Sequence, residues 1–317
     1  MVTSYDGTDV VIGIIDGAMD FNHGDFKTAG GKSRVLWIWD QSATTGGTTP
    51  ATFGYGQEWT NAEIDAGTCN YDPSQPANWY GHGTHVAGVA ASNGLANGKA
   101  KGSAPGADLI FCTQDVSMVD AVNYVYSKAA ALGKPCVINA SLGNQFGMHD
   151  GRDLESQSIS ALIDARVGQS FVAAAGNEGD YGDVHLAYTV SPTDTNFTMF
   201  SPISGNVFLL IAGDTSDLKD VEFSIGADKM SPIHEFRGDI GFQKVSDLTT
   251  DAVVSIPLIV NTNQIGLVQY YLEIINGNYS LQYFVTPDST AYNWRLMAKG
   301  SGSFDLWNYN SANSRYT

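Results

Sequence analysis

The sequence predicts an α/β protein in which a parallel sheet covered by helices on both faces is continued by an antiparallel β-sandwich. Through about residue 180, short continuous apolar runs alternate with helical periodicities, the grammar of a doubly wound sheet. After about Tyr181 the helical period disappears, and short alternating segments separated by turn signals take over. At 317 residues the chain also exceeds a typical single domain, so two structural units are expected.

The expected strands of the first part are Val10–Ile15, Val35–Trp39, Leu109–Cys112, Cys136–Ala140 and Phe171–Ala175, each apolar on both faces as buried parallel strands are. Thr84–Ser92 reads as a helix of small residues. Ser117-Met118-Val119-Asp120 resembles a capping box that opens a helix through about Leu132, with Gly133 as its stop. A third helix is expected over Asp153–Val167, its stripe formed by Leu154, Ile159, Leu162, Ile163 and Val167 and ended by Gly168. The long connection from Asp40 to Tyr80 is rich in Gly, Thr, Asn, Pro and Asp and holds at most one short helix near Thr60–Asp65. In the second part, strands are expected at Phe197–Met199, Val207–Ile211, Val221–Ile225, Ala252–Ile259, Val268–Ile274, Tyr279–Val285 and Trp294–Ala298. Asn276-Gly277-Asn278 and Pro287-Asp288 mark turns.

Composition narrows the function. A net charge of -17 argues against nucleic acid or an anionic membrane as partner, since both repel it. No apolar run approaches the roughly 18 residues needed to span a bilayer, so no membrane span is expected. The first apolar segment already leads into chemistry, so no signal peptide is expected within this sequence. Cys69, Cys112 and Cys136 are too few and too scattered for a disulfide framework or a zinc site. Cys112 and Cys136 lie in apolar runs and read as core, whereas Cys69 sits in a Gly/Asn/Asp-rich stretch.

Three segments carry chemistry. In Gly81-His82-Gly83-Thr84-His85-Val86-Ala87-Gly88, the glycines let a histidine sit where a helix begins, and the small residues behind it permit close packing on a sheet. In Val11-Ile12-Gly13-Ile14-Ile15-Asp16-Gly17, a carboxylate follows a buried strand at the edge where α/β sheets build their sites. Such a group can fix an imidazole tautomer and stabilise an imidazolium. In Phe171-Val172-Ala173-Ala174-Ala175-Gly176-Asn177-Glu178-Gly179, a strand ends in an amide able to donate to a developing oxyanion, after small residues suited to a pocket floor.

In this order the three segments resemble those of the subtilase family of serine proteases, over roughly residues 8–180. The resemblance implies a subtilisin-like parallel sheet with Asp16 as the orienting acid, His82 as the general base and Asn177 as the oxyanion-hole donor. It also implies a substrate groove bordered by Ser141, Leu142 and Gly143, and a pocket walled by Ala174, Ala175 and Gly176 with Glu178 at its rim. His85 matches a structural position of the motif. Arg34-Val35-Leu36-Trp37-Ile38-Trp39-Asp40-Gln41 and Tyr55-Gly56-Gln57-Glu58-Trp59-Thr60 resemble a subgroup that includes the spore-germination subtilases. Members of that subgroup insert a jelly-roll domain between the oxyanion asparagine and the nucleophile. The implied layout is the N-terminal part of the catalytic domain over 1–183, a jelly-roll-like insert over 184–305, and the start of a return to the catalytic domain over 306–317.

Two features depart from the family pattern. Gly17-Ala18 follows the acid where Thr or Ser and then Gly are usual. More consequentially, the family's nucleophile segment, Gly-Thr-Ser-Met-Ala-Ser-Pro, is absent. Gly226-Ala227-Asp228-Lys229-Met230-Ser231-Pro232 only echoes it, and Gly300-Ser301-Gly302-Ser303 reads as a loop. The expectation is therefore a serine endopeptidase fragment, its parallel sheet incomplete at the C-terminal side, lacking the nucleophilic serine and inactive alone. A polypeptide is its substrate, and the complementary fragment or a second copy is a partner that covers exposed apolar surface. The family implies a secreted or cell-surface location. Calcium is common in the family and possible here, but no stretch forms a dense oxygen-ligand loop; Asp and Asn residues in Asp65–Asp72 are candidates for which ordinary loop roles are favoured, so no cofactor is expected. The alternatives are a non-catalytic pseudoprotease acting as a regulatory module, and a sandwich whose Tyr270, Tyr271, Tyr283, Trp294 and Trp307 bind a partner surface.

Overall fold

The computed structural model describes residues 5–74, 81–144, 147–177, 185–202, 205–229, 235–308 and 311–316. They form two compact units, Met1–Gly143 with Leu154–Ala175 and Asn144–Asp153 with Gly176–Thr317.

The first unit is built on a six-stranded sheet of β1 (Val11–Ile15), β2 (Val35–Asp40), β3 (Gln57–Thr60), β4 (Asp108–Cys112), β5 (Cys136–Ala140) and β6 (Gln169–Ala173), in the order β3-β2-β4-β1-β5-β6. Every pairing is parallel except that of β3 with β2. The runs that read as apolar on both faces bury both. Val11, Ile15, Ile110 and Ile138 enter one core, while Ile14, Val35, Ile38, Leu109 and Phe111 enter the other. Helix α3 (Met118–Ala131) closes the first core with Ala121, Val122, Val125 and Ala129. Its N-cap is Ser117, whose side chain accepts from the Asp120 amide, but the expected capping box is only half made, because the Ser117 amide donates to Gln41 Oε1 instead. A Cβ at Gly13 would stand 2.5 Å from Val125 Cγ1, so this glycine sets how closely α3 lies on the central strand. Helix α2 (His82–Ala91) closes the other core through Ala87 and Ala91.

The short helix in the long connection is α1 (Asn61–Ala66), with a complete Thr60/Glu63 capping box and Gly67 in the left-handed conformation at its end. The expected Asp153–Val167 helix is shorter, α4 (Leu154–Asp164). Ile159, Leu162 and Ile163 pack on the core, but the ends of the stripe do not: Leu154 is 79% and Val167 99% exposed. Edge strand β6 also leaves Val172 half-exposed. Cys112 and Cys136 are buried, and Cys69 is half-buried, its thiol pushed up by desolvation.

The second unit consists of two antiparallel sheets around one core. One sheet holds β8 (Asn196–Pro202), β10 (Val221–Lys229), β11 (Glu235–Asp239), β12 (Gln243–Lys244), β16 (Tyr292–Gly300) and β18 (Ser311–Tyr316). The other holds β7 (His185–Val190), β9 (Val207–Asp214), β13 (Val253–Val260), β14 (Asn263–Ile275), β15 (Asn278–Pro287) and β17 (Gly302–Asn308). Phe200, Phe223, Trp294 and Leu296 of the first sheet pack with Leu209, Ile211, Val268, Tyr283 and Phe304 of the second. All seven strands expected here are present, six of them longer than expected and β13 shifted by one residue. Asn276 and Gly277 both take positive φ in the β14–β15 hairpin, which is why that pair signals a turn. Tyr270, Tyr283, Trp294 and Trp307 are buried, so these aromatics are packing residues and not surface platforms.

Two sequence readings are corrected here. Gly302 and Ser303 belong to strand β17, not to a loop. A Cβ at Gly302 would overlap the Asp217 carbonyl oxygen, so the glycine marks a close backbone approach to α5 (Thr215–Leu218). Nor does the chain turn away at residue 306: Leu306–Asn308 continue β17, and β18 pairs with β8. Of the nucleophile echo, Gly226–Lys229 lie in β10, and Met230, Ser231 and Pro232 fall outside the described residues.

The segment after Gly143 belongs to the β-rich unit. Met148 packs with Leu210, Ala212 and Trp307. His149 stacks on the Trp307 ring at 5.4 Å, and the Arg152 carbonyl accepts from Asn276 Nδ2 at 2.6 Å.

Candidate active site

The parallel strands end in register. Ile15 stands level with Cys112 and Ala140, and Ala140 with Ala173. Asp16, Thr113, Ser141 and Ala174 therefore leave the sheet along one edge, neighbouring strands being about 4.8 Å apart.

Asp16 follows the central strand and is fully buried. Its Oδ1 accepts from the Gly17 amide at 2.8 Å, so the residue that departs from the usual motif supplies a backbone donor to the acid. Both carboxylate oxygens face His82 Nδ1, at 2.8 and 2.9 Å. Burial pushes the Asp16 carboxyl above its ordinary range, opposed by the bonds from His82 and Gly17.

His82 is the first residue of α2, which begins two positions before the expected start at Thr84. Gly81, at φ +81°, makes the turn into the helix. At Gly83 a Cβ would overlap the Ala18 carbonyl oxygen and stand 3.1 Å from Asp16 Cβ. Thr84 Oγ1 accepts from the Asp20 amide at 2.8 Å. The motif thus presses the start of the helix onto the acid-bearing turn and fastens it there. The His82 side chain remains 43% exposed while its partner carboxylate is wholly covered. Gly83→Ala is expected to cost roughly 1–3 kcal/mol through overpacking. Gly88→Ala, at a helical position with nothing within 4 Å, is expected to stabilise by up to about 1 kcal/mol. Equal urea midpoints for the two variants would refute the close-approach reading.

The raised Asp16 pKa gives a signed prediction. The folded protein holds this proton above pH 3.8, where the unfolded chain has released it. The stabilisation from this group is complete below that pH and is lost as pH rises through the native value. Asp16→Asn therefore gains stability relative to the parent across that window in urea titrations. Parallel curves for the two proteins would count against a desolvated acid.

Beyond the pair, Ser141, Leu142 and Gly143 follow β5. Ser141 Oγ accepts from Asn139 Nδ2 at 2.9 Å, and Leu142 packs on the core beneath. Ala174 donates its amide to the Ala140 carbonyl at 3.1 Å, and Ala174 and Ala175 are exposed. Gly176, at φ +95°, and Asn177 begin the long stretch of the second unit, and Glu178 lies outside the described residues. His85 is exposed and holds the helix start through its amide bond to the Gly81 carbonyl.

Sequence reasoning missed two buried clamps. Gln41 Oε1 accepts from the Val116 and Ser117 amides, and its Nε2 donates to the Ser117 carbonyl, fixing the crossing from β4 to α3 at the site edge. Arg34 donates to the carbonyls of Ala107, Asp25 and Ala91, the last residue of α2. The available signal was a polar residue flanking each end of an apolar strand.

Asp65 accepts from the Ser33 amide and pairs with Lys32, and Asp72 closes its own turn with Ser74. Among the described residues, no three His, Cys, Asp or Glu side chains gather as a metal-holding group. Among the described residues, no helix is long and apolar enough to cross a membrane.

A solved structure of the Clostridium perfringens CspB protease superposes with a TM-score of 0.72 at 19% identity, over 99% of this chain and 65% of that one. The chain thus spans a little under two thirds of that protein's length. The subtilase family model matches residues 7–311, and with Asp16 and His82 joined as that family's first two motifs require, the chain belongs to the subtilase family.

Proposed function

We propose that this chain carries the acid–base half of a serine endopeptidase site, and the bond from His82 Nδ1 to a fully buried Asp16 carboxylate carries the proposal. The carboxylate holds the tautomer with its proton on Nδ1, which gives Nε2 the accepting role. A serine hydroxyl would pass its proton to Nε2 as its oxygen attacks the peptide carbonyl. Asn177 and a backbone amide would receive the oxyanion. Collapse would expel the amine, protonated by His82, and water would then release the acyl group by the same route in reverse.

In this reading Ser141–Gly143 border the groove, and Ala174, Ala175 and Gly176 wall the pocket. Glu178 at the rim favours basic or polar substrate side chains. The substrate is a polypeptide met outside the cell or at its surface. The β-rich unit is a jelly-roll insert of the germination-protease type, supported by its two antiparallel sheets and by the segments around Trp37 and Trp59. The nucleophile comes from residues other than these 317, in a complementary polypeptide that covers the apolar surface around Val172 and Val167. The test is labelling with a fluorophosphonate, which reacts only with an activated serine. The 317-residue protein alone should remain unlabelled. Joining it to a following segment bearing Gly-Thr-Ser-Met-Ala should create labelling that depends on His82. Labelling or turnover by the 317 residues alone would overturn the proposal. Failure of the joined form would favour the pseudoprotease.

A further inference from the structure

Two sheets of the β-rich unit part at one corner of their shared core. Between β7 and β17 of one sheet and β8 and β16 of the other lies a cavity of about 230 Å³. Its depth is formed by the buried Thr198, Ala298, Phe304 and Leu306, and the half-buried Asn196 adds a second polar side chain to the lining. The half-buried Leu186 and Tyr188 stand where it reaches the surface. The small Ala298 and Thr198 occupy inward positions that along the same strands hold Trp294 and Phe200, and the sheets enclose space here as a result.

The lining has one further property. Thr198 Oγ1 is buried and has no hydrogen-bond partner among the described residues. A buried hydroxyl left unpaired is costly, and native cores rarely keep one without a use. An engineered cavity of about 150 Å³ holds benzene. A space half as large again suits a two-ring body.

We propose that this cavity binds a compact apolar molecule of about bicyclic aromatic size that carries a single hydrogen-bonding group, which Thr198 Oγ1 engages. The site lies wholly within the β-rich unit and is independent of the protease reading.

The test uses the whole protein with indole, which carries one N–H, and naphthalene, which carries none, followed by ligand-observed NMR and calorimetry. Both should bind saturably at one site with a negative heat-capacity change. Thr198→Val keeps the shape and removes the hydroxyl. It should weaken indole about fivefold to tenfold and leave naphthalene unchanged. Ala298→Leu fills the cavity and should abolish both while the protein stays folded. Absence of binding by either probe up to its solubility would overturn the proposal, as would unchanged affinity in Ala298→Leu. Equal response of both probes to Thr198→Val would overturn the role of the hydroxyl and with it the ligand class. If Ala298→Leu unfolds the protein, the Thr198→Val comparison still decides.

Discussion

In a serine-bearing form of this protein, His82→Ala is expected to lower kcat by about 10⁶-fold, and Asp16→Asn by about 10⁴-fold. The ordering follows from the geometry. In the proposed mechanism His82 takes and returns the proton, so removing it forfeits the nucleophile's activation entirely. Asp16 acts through His82, and both its oxygens address Nδ1. An asparagine in its place keeps the packing but presents an N–H where an acceptor is needed, which reverses the tautomer and turns the wrong nitrogen toward the substrate. The double variant should be little worse than His82→Ala, because the two act as one unit. Additive losses in single-turnover cleavage of a peptide ester would show that the two side chains do not share a task.

Removing Arg34 is expected to have the largest effect on stability. Its guanidinium is almost fully buried and satisfies three backbone carbonyls, those of Asp25, Ala91 and Ala107. One of them ends the helix that begins with His82. Burial lowers the pKa of the guanidinium, while Asp108 and Asp25 act in the opposite direction. Arg34→Met would strand those carbonyls in an apolar setting and cost roughly 3–5 kcal/mol. Arg34→Lys should recover less than half of that, because one ammonium cannot reproduce a planar fork. Urea unfolding followed by the buried Trp39 and Trp59 reads the loss. Both variants within about 1 kcal/mol of the parent would show the clamp to be dispensable.

The central strands and the paired acid and base were legible because they rest on local necessity. A strand buried on both faces must be continuously apolar, as Val11–Ile15 and Cys136–Ala140 are. A helix pressed onto a turn must be glycine at the contact, as Gly83 is. Elements whose identity depends on distant partners were harder to read. The α4 stripe was overextended at Leu154 and Val167, since periodicity counts apolar residues without knowing what lies opposite them. Strands β7, β11, β17 and β18 escaped, opened as they are by the polar or glycine residues His185, Glu235, Gly302 and Ser311. The Arg34 and Gln41 clamps were invisible for the same reason: their partners are backbone carbonyls and amides as far as 76 positions away. Backbone groups leave no mark on a sequence.

The loan of residues 144–153 to the β-rich unit means that the polypeptide passes between its two units three times, after Gly143, Asp153 and Ala175. A single proteolytic nick at any one crossing leaves the halves tethered by the other two. Residues 184–317 expressed alone would lack Met148 and His149, baring the Trp307 ring on the side where both now pack. Excising the sandwich as one continuous stretch would leave part of its own packing behind.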